Sequence, residues 1–120
     1  MAEPLDALVF YVPRESTNAV LTTVFEAGAG TIGDYQECAF VTPGRGQFRP
    51  VRSASPTIGA LGGLEYVDED RVEVVLPRRL RATVVAALRS AHPYEEPAFH
   101  VLATVDVDEP PRDRRGQNPA

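Results

Sequence analysis

A chain of 120 residues holds one hydrophobic core and no second domain, and 43% hydrophobic with 24% charged residues is the balance of a soluble globular protein. The longest apolar run, Ala7 to Val12, is too short to span a bilayer, and the acidic start lacks the basic region of a signal peptide, so a cytoplasmic protein with no membrane association is expected. A net charge of -5 opposes broad nucleic-acid binding, while the single cysteine, Cys38, excludes an internal disulfide and any multi-cysteine zinc motif.

In chain order, Asp6 to Val12 is a continuous apolar run closed by Pro13, the pattern of a central strand. Val20, Leu21, Val24 and Phe25 recur at helical spacing after Ser16, a candidate N-cap, and Gly28 stands just past the end. Pro43-Gly44-Arg45-Gly46 is a turn signal between Cys38-Val41 and Gln47-Arg49, which predicts a hairpin. Ser53 to Gly63 has no period and reads as a long loop, of the kind that binds something or packs on a neighbour. Leu64 to Leu76 reads as a long strand, with Asp68-Glu69-Asp70 as a bulge or a solvated end. Pro77 suits the first turn of a second helix whose buried stripe is Leu80, Val84, Ala87, Leu88 and Ala91. Pro93 ends that helix, and Ala98 to Val105 alternates as a last strand. Residues 1–105 therefore form one domain, and 106–120 read as a disordered charged tail.

The order is βαββαβ, the α+β ferredoxin-like sandwich, with an extra hairpin and a long loop between its halves. Both helices should cover one sheet face. Cys38, Phe40, Phe48, Val75 and Phe99 make the other face too apolar for water, which predicts a homo-oligomer.

All but one of the glycines fall between Gly28 and Gly63. Gly28-Ala29-Gly30-Thr31-Ile32-Gly33 matches the letters of a dinucleotide fingerprint, but a helix precedes it and a strand-like run follows, the reverse of what pyrophosphate binding needs. These glycines instead stop a helix and bend the chain.

Gly28 to Phe40, then Gly44-Arg45-Gly46-Gln47-Phe48-Arg49-Pro50, Pro56-Thr57-Ile58-Gly59 and His92-Pro93-Tyr94-Glu95-Glu96-Pro97 together resemble the YqfO-type insertion domain, the PII-like and CutA-like module of the NGG-one-interacting-factor-three family. The resemblance covers roughly Leu8 to Val105. It implies a trimer of CutA type with sites in clefts between subunits, and it places Gly44 to Gly63 where a PII-like ligand-reading loop sits. It implies no reaction here, because the family's two-metal centre lies in a flanking domain whose histidines have no counterpart in a chain with only His92 and His100.

Two ligand sets are candidates. His92, Glu95 and Glu96 offer nitrogen and oxygen ligands to a divalent cation, joined by Cys38 or Glu65 across a subunit boundary; otherwise His92 packs and caps the second helix. Arg78, Arg79 and Arg81 stand at a helix N-terminus, where with Arg45, Arg49 and Arg52 of the loop they would form a pocket for a small anion; otherwise they are solvated. Cys38 reads as a small buried hydrophobe, and no catalytic triad is spaced in the chain. The function expected is a regulatory or ligand-binding oligomeric module without catalysis of its own. The alternatives are an enzyme using His92 and a glutamate as acid and base, or an accessory oligomerisation unit for a dimetal-binding partner.

Overall fold

The computed structural model describes residues 3–108 and Arg115. Most of the expected tail lies outside the described residues. Strand β1 (Leu5–Pro13) leads through a 3-10 turn (Arg14–Ser16) into helix α1 (Thr17–Glu26). Strands β2 (Phe40–Phe48) and β3 (Glu65–Pro77) follow, then a second 3-10 turn (Arg78–Leu80), helix α2 (Arg81–Ala91) and strand β4 (Phe99–Ala103). The sheet is antiparallel in the order β2-β3-β1-β4, which is the ferredoxin-like arrangement. Among the described residues no helix is long and apolar enough to cross a membrane.

The alternation of β1 and β3 decides where the core sits. Leu8, Phe10 and Val12 stand opposite Val74, Val72 and Asp70, so their side chains share one face, and Val20 and Val24 of α1 with Val84 and Leu88 of α2 close over it. Phe99 pairs with Phe10 and packs against this core, so it belongs to the helix face rather than to the open face expected for it. The open face is apolar at its margins, Phe40 and Leu102 being 66% and 54% exposed, while Tyr11 and His100 lie ring to ring in its middle and Arg71 pairs with Glu73.

Three local expectations are corrected. The predicted turn at Pro43-Gly44-Arg45-Gly46 is the middle of an unbroken strand, paired Pro43 to Asp70 and Gly46 to Val67, so no extra hairpin forms there. β2 is an edge strand, where proline's missing N–H need not disrupt a ladder, so long-range pairing overrides local turn chemistry. Asp68-Glu69-Asp70 is neither bulge nor end but continuous strand; Asp70 is buried and accepts from Thr17 Oγ1 at 2.7 Å, with Arg14 Nε at 3.6 Å. Pro77 closes β3 instead of opening a helix, and the arginines after it lie in the 3-10 turn and at the first residue of α2. Ser16 does flank α1, though without a side-chain capping bond. Gly28 stops the helix at φ 111°, and a Cβ there would lie 2.6 Å from Leu80 Cδ1.

A buried carboxylate ties the two halves of the fold. Asp6, fully buried, receives Arg78 Nε on Oδ1 at 2.8 Å and Arg81 Nε on Oδ2 at 2.6 Å, and Arg78 also donates to the Leu5 carbonyl at 3.1 Å. The Arg81 hydrogen bond, then that of Arg78, holds this carboxyl below its ordinary value of 3.8 against the opposing effect of burial. A depressed carboxylate contributes stability above its unfolded value and loses it as pH falls through the folded one. Asp6→Ala should therefore lower unfolding free energy in urea by about 1.5 to 3 kcal/mol at pH 7, and its deficit against the wild type should shrink below about pH 4.

Candidate functional site

The segment between α2 and β4 is built on a histidine. The His92 amide closes the helix on the Leu88 carbonyl at 2.9 Å, and its backbone then turns extended (φ -70°, ψ 135°), as a residue before proline must. The buried side chain reaches back to β1, Nε2 lying 2.7 Å from the Tyr11 carbonyl, while Nδ1 lies 3.0 Å from the Tyr94 amide. A carbonyl can only accept and an amide N–H can only donate, so the ring is neutral with its proton on Nε2. Six residues on, the Tyr11 amide donates to the Ala98 carbonyl at 3.2 Å. Tyr11 thus anchors both ends of the 92–98 segment through its backbone.

The 49–64 loop folds onto that segment. Arg49 Nη1 donates to the Gly62 carbonyl at 2.8 Å and the Gly62 amide to the Pro50 carbonyl at 2.6 Å, which closes the loop's neck. Its far side docks through Thr57 Oγ1 on the Pro93 carbonyl, at 2.8 Å, and the Ser55 amide on Glu95 Oε2, at 3.1 Å. Between loop, segment and the β2–β3 ribbon lies a cleft of about 520 Å³, lined among others by Phe48, Arg49, Arg52, Glu69, Tyr94 and Glu96. Tyr94 stands between the rings of His92 and Phe48, with centroids 5.0 and 5.9 Å away. Its hydroxyl is buried without a hydrogen-bond partner among the described residues, and burial first, then the nearby Glu69 carboxylate, pushes its pKa up to about 12.

The candidate residues fall into separate places. Arg45 stacks on Tyr66 at 4.5 Å, at the end of β3 opposite to Arg78 and Arg79; Arg78 holds Asp6 and Arg79 pairs with Glu3. The structure does not bring the two arginine groups together within the chain. Of the loop arginines, Arg49 and Arg52 do line the cleft. His92 has both ring nitrogens engaged, so metal ligation would break one of these bonds, and Glu95 already serves the Ser55 amide. Among the described residues no group of three histidine, cysteine, aspartate or glutamate side chains is placed to hold a metal ion. The capping and packing role of His92 is the one its geometry carries. Cys38 is half-buried ahead of β2, with Sγ 3.8 Å from the Gln36 carbonyl, and the Glu65 side chain lies over Gly59.

Glu69 and the Phe48–Tyr94 pair were not singled out from the sequence. The signal available was β3's alternation, which puts Glu69 on one face with Arg71 and Glu73 once Asp68-Glu69-Asp70 is taken as strand.

No family model matches the chain. Among curated proteins, the GTP cyclohydrolase 1 type 2 homolog of Mycobacterium tuberculosis is 59% identical over 104 residues, and that of Bacillus subtilis 43% over 99. The solved structure of a Bacillus cereus protein related to NIF3 superposes at a TM-score of 0.76 with 36% identity, over 88% of this chain and 27% of that one. The chain carries the CutA-like domain of the NIF3-related proteins. The domain spans about a quarter of the curated relatives it matches: the aligned parts are 87% and 82% of this chain but 27% and 26% of theirs. CutA from Synechococcus elongatus, 19% identical, shares the fold at a TM-score of 0.63 over 87% of this chain and 80% of its own.

His92 sets a pH limit on the cleft. Burial holds its pKa below the ordinary 6.5, partly offset by the Tyr11 carbonyl and by Glu69. A depressed histidine is neutral in the fold, so its contribution is complete above pH 6.5 and is lost as pH falls through the folded value. The wild type's melting midpoint should fall over that window, and His92→Gln, stable or not, should show a flatter midpoint there.

Proposed function

We propose that this CutA-like domain is a homo-oligomeric binding module, three copies joined through the sheet, that presents its clefts to a small ligand and carries out no reaction of its own. The observation that supports it most is the unpartnered end of the sheet. β1 pairs with β3 over residues 69–77, while β2 pairs over 65–73, so residues 65–68 form a two-stranded ribbon beyond the body. Tyr66 on the ribbon is 53% exposed, and Phe40 and Leu102 border the open face. An apolar margin beside an unpaired edge strand is costly in water and is relieved by a second copy. The CutA-like fold favours the trimer among possible assemblies.

The ligand part of the proposal rests on the docked loop, which encloses aromatic, acidic and basic side chains in one cleft. At the loop end of the cleft Arg52, beside an Arg49 that already donates to the Gly62 carbonyl, is what supports an anionic group on the ligand, since Arg78 and Arg79 are occupied by carboxylates. The relatives' cyclohydrolase name is no ground for a reaction here, because the domain matches only 27% of such a protein. The proposal places the domain in the cytoplasm, in keeping with its one free cysteine.

Light scattering on the purified chain should give a mass of three chains, and Phe40→Asp should dissociate it without unfolding. A monomer at micromolar concentration would reject the oligomer, and a dimer would reject its threefold form.

A further inference from the structure

At the inner end of the cleft the Glu69 carboxylate lies beside the Tyr94 hydroxyl. The Glu69 side chain folds across Gly46 so closely that a Cβ there would lie 1.6 Å from Oε1. Among the described residues no arginine, lysine or histidine forms an ion pair with it. A half-exposed carboxylate facing water alone would be ordinary surface. This one lies within reach of the buried Tyr94 hydroxyl, which has no other partner among the described residues, at a wall made by two aromatic rings, Phe48 and Tyr94, inclined at 58°.

Each of these groups asks for the same thing. Glu69 accepts only; the neutral Tyr94 oxygen can accept a further bond; the ring faces are negative. Glu95 and Glu96 add negative charge to the lining, against Arg49 and Arg52, and Arg49 is already committed to the Gly62 carbonyl. A phosphate or carboxylate at this end would meet Glu69. A metal ion would find one carboxylate and an un-ionised phenol, short of the oxygen set that a hard cation requires. An ammonium group fits instead, with N–H donors for both oxygens and a polarised methylene to rest against the rings.

The geometry points to a binding site for a protonated organic amine, its nitrogen between Glu69 and Tyr94 and its carbon body along Phe48. This rests on the binding-module reading above and names the group held at the inner end of the cleft, an anionic group of the ligand being left to the loop end at Arg52. Gly46 belongs to the site because only a residue without a side chain leaves room for the Glu69 carboxylate.

Butylamine and ethanolamine hydrochlorides, with sodium acetate and phosphate as the opposite charge, can be titrated into the isotope-labelled whole chain. The amide resonances of Gly46, Glu69 and Tyr94 report the site. Saturable shifts with the amines are expected, weakened at least about tenfold in Glu69→Gln and less in Tyr94→Phe. Gly46→Ala, which displaces the carboxylate while leaving its charge in place, should weaken them too. Equal amine affinity in wild type and Glu69→Gln, each with a folded spectrum, would overturn the assignment. Saturation by anions but not amines would overturn the amine class and leave the binding module standing; silence from every probe would overturn both.

Discussion

Both ends of the segment that lines the cleft are fastened to one residue of a central strand. The Tyr11 carbonyl accepts a hydrogen bond from His92 Nε2–H and the Tyr11 amide donates one to the Ala98 carbonyl, so the chain between them arches from β1 and returns to it. That arrangement works only with a neutral imidazole. A second ring proton would place two N–H groups face to face at Tyr94 and would put a charge where burial disfavours it. Everything the cleft offers follows from it: the position of Tyr94, the docking points at Pro93 and Glu95, and the hold on the long loop.

The fold prepares this by an offset between strands. β3 is longer than either neighbour needs, pairing with β1 at one end and with β2 at the other. At the β1 end the arginines after β3 close on Asp6, a polar knot that locks the 3-10 turn and the start of α2 to the sheet. The other end is left as a ribbon, and the loop that connects its strands folds back over the sheet's end to make the cleft. Strength is concentrated at one end and binding surface at the other.

What could be read from the sequence was what local pattern determines. The continuous apolar run of β1, the alternation of β3 and the Val84–Leu88 spacing of α2 each reflect burial against a core, and each element lies where the pattern puts it. The motif His92 to Pro97 likewise marked a segment that the structure sets at the cleft. Misread were residues whose partners lie far along the chain. Asp70 meets Thr17 across 53 positions, Arg78 meets Asp6 across 72 and His92 meets Tyr11 across 81. No local rule shows such pairings, so the sequence leaves Arg78 open between solvated surface and an anion pocket, and His92 open between a helix cap and a metal ligand. Pro43-Gly44 failed for the same reason, since an edge strand's pairing is decided by its neighbour.

The central claim is that His92 is a neutral, Nε2-protonated fastener. Long-range nitrogen–proton correlation of the imidazole at neutral pH tests it directly. The account predicts one pyridine-like nitrogen, Nδ1, and one protonated nitrogen, Nε2, with no exchange between tautomers. A doubly protonated ring, a proton on Nδ1, or averaging of the two nitrogens as in a free histidine would contradict it.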